Sequence, residues 1–225
     1  MRDLTFESID TDGAVREAFA AVPASTRRAF LAAVGGGATM LTGLALPGAA
    51  AAAGKRDTAI LNFALTLEYL QAAFYTEAER LGAIRGRLAR IPRQLGAVER
   101  AHVEAIRGVL GRQAVKRPAF NFRGTTEDPT AFLKTAVAFE DLGVAAYKGQ
   151  ATRIESPAVL AAAVAIHSVE ARHAAWMRYL AGVRPAASAF DEARSQREVG
   201  EIVASTRFIA AAPRRTGRRK PRFTG

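Results

Sequence analysis

Apolar side chains recur three and four residues apart through four stretches of this chain, the spacing that gathers them on one face of an α-helix. The first stretch, helix A, runs from Asp57 to Leu81, with an inner stripe of Leu61, Ala64, Leu65, Glu68, Ala72 and Tyr75. Helix B spans Pro92 to Leu110 on Leu95, Glu99, His102, Ile106 and Val109. Helix C opens with Asp128-Pro129, a good cap and first-turn pair, and carries Leu133, Ala136, Val137, Glu140, Val144 and Tyr147. Helix D opens with Ser156-Pro157, ends before Gly182, and carries Ala163, Ile166, Glu170, His173, Met177 and Leu180. A weaker helix is expected from Asp191 to Ile209. The A–B and C–D links are short, whereas Gly111 to Glu127 makes a long B–C link rich in Arg, Pro, Phe and Gly. This pattern predicts an all-α four-helix bundle with one long crossover, plus a C-terminal helix.

Polar residues interrupt each stripe at one level. In chain order they read Glu68, then Glu99-x-x-His102, then Glu140, then Glu170-x-x-His173. Residues three apart project side by side from a helix, so each Glu–His pair offers a carboxylate oxygen and an imidazole nitrogen to one point. The chain has only three histidines, and two of them fall in this arrangement. An exposed ion pair is the usual fate of Glu and His at this spacing, but the apolar flanks turn these stripes inward. Four inward carboxylates without cations would be costly or would be forced to protonate. No Lys or Arg lies on the stripes. Two divalent metals would balance four carboxylates, and four carboxylates with two imidazoles are the ligand set of a dinuclear iron or manganese centre.

The halves also resemble each other. Glu68-Tyr-Leu-Gln-Ala-Ala-Phe-Tyr75 aligns with Glu140-Asp-Leu-Gly-Val-Ala-Ala-Tyr147, and Val98-Glu99-Arg-Ala-His102 with Val169-Glu170-Ala-Arg-His173. A repeated helix pair implies a pseudo-twofold axis passing between two equivalent metals. Tyr75 and Tyr147 lie two turns beyond a glutamate on the same face, where they would either bond to the metal ligands or pack as core. His167 sits about 120° around its helix from His173 and is expected beside the ligands, or half-exposed, and not among them. Asp141 should point away from the centre. Trp176 and Met177 read as core.

Charge changes the picture only at the ends. The net charge is +11, and Pro213 to Gly225 holds six basic and no acidic residues, so the remainder stands at +5. This stretch, residues 213–225, is expected to be a disordered solvated tail, or to touch an anionic surface such as membrane headgroups. No recognised motif accompanies it, so nucleic acid is not an expected partner. Cysteine is absent, which excludes disulfides, thiolate metal sites and a cysteine nucleophile. Near the other end, Ser25-Thr-Arg-Arg-Ala-Phe-Leu31 precedes a short, Gly-interrupted apolar run from Ala32 to Leu46 and an alanine-rich stretch from Ala49 to Ala53. This resembles a twin-arginine export signal, with a transmembrane anchor as the alternative. Cleavage near Ala53 would leave a chain of about 172 residues, an ordinary domain size. The expected organisation is a signal over 1–53, the bundle over 54–182 and an extension with a helix over 183–212. Export by the twin-arginine machinery would place the mature protein in the periplasm or outside the cell, already folded and metal-loaded.

On the segments around Glu68, Glu99–His102, Glu140 and Glu170–His173, residues 57–209 resemble the ferritin-like superfamily, in particular the ferritin-like-domain family that includes desiccation-related proteins. The resemblance implies that Glu68 and Glu140 are terminal ligands, one per metal, and that Glu99 and Glu170 bridge. His102 and His173 would each complete one metal's shell. Iron is the expected metal, with manganese the alternative. The implied activity is redox chemistry on O₂, peroxide or Fe²⁺ (ferroxidase-, peroxidase- or catalase-like). A metal-stabilised stress protein without turnover is the competing expectation. Storage in a mineral cage ranks last because this surface is basic, and a monomer or small homo-oligomer is expected.

Overall fold

The computed structural model describes residues 53–186 and 188–210, and the signal over residues 1–53 and the tail over 213–225 fall almost wholly or wholly outside them. Five α-helices are present among the described residues: α1 Lys55–Leu81, α2 Ile91–Leu110, α3 Pro129–Ala151, α4 Pro157–Leu180 and α5 Gln196–Thr206. None is long and apolar enough to cross a membrane. The boundaries follow local chemistry. Asp128 accepts a hydrogen bond from the Ala131 N–H at 2.7 Å to open α3, and Ser156 caps α4 through Val159. Gly182, at φ 74°, follows the end of α4 in the left-handed conformation that glycine adopts without a Cβ penalty.

Helix α1 packs along α2, and α3 along α4, so the described bundle is two helical hairpins packed together. Residues 111–128 cross from the first hairpin to the second. Asn62 pins the start of this crossover: its amide donates to the Gln113 carbonyl at 3.0 Å and its oxygen accepts from the Val115 N–H at 2.7 Å. Asp57, fully buried at the start of α1, accepts from the N–H groups of Glu155 and Ser156, both at 2.9 Å. That carboxylate ties the first hairpin to the link of the second.

Two apolar clusters fill the bundle. One is aromatic: Phe74 stacks on Phe132 at 5.1 Å and meets Phe122 and Phe139 edge-on, while Phe208 closes on Phe122 at 5.5 Å. The other gathers Leu61, Leu65, Ile106, Tyr147, Val159 and Ile166. The glutamate–histidine level belongs to the same inward faces. Truncating one such buried phenylalanine to alanine typically costs about 3–5 kcal/mol.

The C-terminal helix is shorter than the Asp191–Ile209 span that periodicity predicts. It begins at Gln196 because Ser195 and Glu198 form a reciprocal capping box, and Arg207 ends it in the left-handed region at φ 56°. The residues before it run irregularly over α3: the Arg194 N–H donates to the Ala145 carbonyl at 3.0 Å. Gly149 permits that approach, since a Cβ there would lie 1.9 Å from the Arg194 carbonyl oxygen. Past α5, Phe120 and Ile209 form an isolated antiparallel bridge between the crossover and the C-terminal segment. The extension therefore buries Val199, Val203 and Phe208 within the aromatic cluster.

Trp176 corrects another expectation. It is 38% exposed, whereas its neighbour Met177 is fully buried. One residue along a helix is a 100° turn, and on α4 that turn carries Trp176 toward solvent while Met177 faces the core.

Candidate metal centre

Each of the four bundle helices delivers one glutamate to the same level: Glu68 from α1, Glu99 from α2, Glu140 from α3 and Glu170 from α4. All four are fully buried, and His102 and His173 are nearly so at 8% exposure each. Stripe geometry explains this, because each residue lies in phase with the apolar positions that the helix buries. The imidazoles face each other with ring centroids 6.5 Å apart.

Around His102, Nδ1 lies 3.2 Å from Glu99 Oε2, 3.2 Å from Glu170 Oε1 and 3.3 Å from Glu68 Oε2. Around His173, Nδ1 lies 2.9 Å from Glu99 Oε1 and 3.4 Å from Glu140 Oε2. Two groups of four follow: Glu68, Glu99, His102 and Glu170; and Glu99, Glu140, Glu170 and His173. Within each group one donor atom per residue lies within 4.8 Å of the others, as donors around a single metal ion would. Glu99 and Glu170 belong to both.

The hydrogen-bond inventory tests whether these residues fit a metal pair. One oxygen of each carboxylate (Glu68 Oε2, Glu99 Oε1, Glu140 Oε2 and Glu170 Oε1) is buried with no hydrogen-bond partner, and His173 Nδ1 likewise. Buried polar atoms are otherwise almost always paired. Apart from the hydrogen bond between His102 Nδ1 and Glu99 Oε2 at 3.2 Å, the short N···O separations lack hydrogen-bond alignment. No Lys or Arg is buried among the described residues to neutralise the carboxylates. Two divalent cations would supply both the missing partners and the missing charge. The donor set therefore fits a dinuclear metal centre.

A family comparison agrees. The ferritin-like domain family matches residues 56–183, more than half of the chain. The chain belongs to the ferritin-like domain family. The matched span begins in the first turn of α1 and ends just past α4, so α5 lies outside the family core. Comparison with curated proteins gives no match.

The outer oxygens of this ferritin-like centre are held by protein. The Tyr147 hydroxyl donates to Glu68 Oε1 at 2.5 Å, and the Tyr75 hydroxyl donates to Glu140 Oε1. Each tyrosine thus reaches across the pseudo-twofold axis to the glutamate of the other hairpin. Burial, then the charge of the neighbouring carboxylate, pushes both phenols well above their ordinary range, so both remain donors. Gln71 donates through Nε2 to Glu170 Oε2 at 3.2 Å. It is buried, and sequence reasoning did not single it out. The available signal was a break in the internal repeat, where Gln71 stands opposite Gly143. His167 joins neither group. It is half-buried, with a buried Nε2 that has no partner. Asp141 leaves the centre, as expected from its phase, and accepts from Arg178 Nε at 2.8 Å.

Protonation of the metal-free site follows from its charge imbalance. Burial disfavours a charged His102, but the carboxylates of Glu170, Glu68 and Glu99 around its Nδ1 overcome this and hold its pKa far above the ordinary value. Burial likewise opposes His173, and Glu140 and Glu99 raise it to about 10. Two imidazolium groups then balance two of four carboxylates. The remaining deficit appears on the acids: burial raises Glu140 and Glu170 to about 7, aided by repulsion from Glu170 and Glu99 respectively. Burial raises Glu68 as well. Without metal, the cluster stores protons in place of cations.

Proposed function

We propose that this protein binds two iron ions, with manganese the alternative, and uses them in redox chemistry with O₂ or peroxide, including oxidation of Fe²⁺. One observation carries the reading: each of four buried carboxylates keeps one oxygen unpartnered, and no buried Lys or Arg compensates them. In this proposal Glu68, Glu99, His102 and Glu170 hold one ion, and Glu99, Glu140, Glu170 and His173 hold the other. Glu68 and Glu140 would each serve one ion, and Glu99 and Glu170 would serve both. The bound pair would supply electron exchange with the oxidant.

The protein's own residues set the conditions for that chemistry. Tyr75 and Tyr147 fix the rotamers of Glu140 and Glu68 by donating to their outer oxygens. The aromatic and aliphatic clusters keep bulk water from the carboxylates, which strengthens every electrostatic term at the site. Export through the twin-arginine signal over residues 1–53, with action in the periplasm or outside the cell, is part of the same proposal. Glu99→Ala and Glu170→Ala should each abolish ferroxidase and peroxidase turnover of the metal-loaded protein. Full turnover in both variants would sink the redox reading.

A second reading has its own support. The six side chains are buried between two packed clusters, as suits a metal serving as a structural staple of the kind expected in a desiccation-related stress protein. It predicts a large metal-dependent rise in Tm with no turnover on any oxidant.

A further inference from the structure

The internal repeat predicts two equivalent metal positions, but the side chains do not arrange themselves equally. Three carboxylate oxygens surround His102 Nδ1 at 3.2–3.3 Å. Only two surround His173 Nδ1, those of Glu99 and Glu140. Glu170, the third carboxylate of the His173 group, is not among these close contacts. Its Oε1 lies 3.2 Å from His102 Nδ1, while its Oε2, the only other oxygen it could offer a second ion, accepts the hydrogen bond from Gln71. Glu99 has no such restraint. It gives Oε2 to the His102 side and Oε1 to the His173 side, so it already spans both positions.

The cause lies in one residue pair of the repeat. Three residues after each terminal glutamate stand Gln71 in the first half and Gly143 in the second. Both now face Glu170. A Cβ at residue 143 would sit 2.7 Å from Glu170 Oε2, so the glycine makes room for the carboxylate in its Gln71-bound position. The carboxylate can accept only from the amide nitrogen, which fixes the orientation of Gln71. The two residues also border a small recess between α1 and α3 with Leu67, Leu70, Phe139 and Leu142. Repulsion between carboxylates alone would not turn Glu170 this way, because the equivalent Glu99 is not so turned.

We infer that Gln71 is a positioning residue that makes the two metal positions unequal. The His102 position is complete as folded and binds tightly. The His173 position binds weakly until Glu170 gives up its bond to Gln71. A charge-assisted hydrogen bond in a buried site corresponds to roughly a tenfold or greater change in an equilibrium constant. This inference rests on the metal-binding reading above but not on any redox activity.

The test is calorimetric titration of the full-length chain with Co²⁺ alone, which needs no turnover. Wild type should bind in two steps separated by at least about tenfold in affinity. Gln71→Met keeps the volume and removes the donor. It should tighten the weak step several-fold and leave the tight step unchanged, whereas a merely structural residue would weaken both. His173→Ala should delete the weak step, and His102→Ala the tight one, which decides the matter should Q71M fail to fold. Two steps of equal affinity, or Q71M shifting both alike, or His102→Ala sparing the tight step, would overturn the inference while the metal reading stands. No Co²⁺ binding at all would overturn both.

Discussion

Loading the centre with metal should expel protons, and the number expelled should depend on pH in a defined way. In the metal-free protein both imidazoles are held protonated, His102 far above its ordinary value and His173 up to about 10. Glu140 and Glu170, raised to about 7, are mostly protonated at pH 6 and mostly ionised at pH 8. A metal takes only the neutral imidazole and the carboxylate anion. Filling both positions therefore releases more protons per chain at pH 6 than at pH 8: those of the imidazoles at both, and those of Glu140 and Glu170 chiefly at pH 6. The assay is titration of the metal-free, full-length chain with Mn²⁺ in pairs of buffers with different ionisation enthalpies, which reports protons released per metal bound. Release of less than one proton, or the same release at both pH values, would refute the picture of a cluster that holds protons in place of cations.

The same shifts fix the sign of stability against pH. The folded-state values of Glu140, Glu170 and His173 all lie above their unfolded values, so their stabilisation is complete only below the latter. Metal-free protein should lose stability from about pH 4.5 through 7 by the two acids, by at most about 3 kcal/mol each, and further toward pH 10 by His173. Thermal melts should accordingly show a metal-dependent gain in Tm that grows from pH 5 to pH 8; a gain that shrinks would contradict the sign. Glu170→Gln removes one charge from an over-acidic core, so without metal it should melt no lower than wild type while losing the metal-dependent gain. A metal-free variant several degrees less stable would show that Glu170 supports the fold itself. Gly149→Ala drives a Cβ into the Arg194 backbone and should cost about 1–3 kcal/mol in denaturant unfolding, with the metal stoichiometry unchanged. Wild-type stability in that variant would mean that the C-terminal segment is not held against α3.

Helices and glutamate stripes were legible because both obey one period. The caps at Asp128 and Ser156 were legible for the same local reason. What escaped was set by contacts between hairpins. Asp57 entered only as the start of the first helix, yet its carboxylate holds two N–H groups of the distant α3–α4 link. Gln71 looked like an unremarkable member of α1, because its partner Glu170 comes from another helix. Trp176 was misplaced because hydrophobicity was followed where phase should have decided. The C-terminal helix was drawn too long because Asp191 to Arg194 carries helix-compatible residues, but the backbone there bonds to α3 instead.

The central claim is that six buried side chains exist to hold two metal ions. Metal content per chain, measured by mass spectrometry on protein purified from its native cells without added metal, tests it most directly. The account predicts about two iron or two manganese ions per chain, falling below one in Glu99→Ala. A wild-type protein that folds fully with no stoichiometric metal, and takes up none when it is supplied, would contradict it.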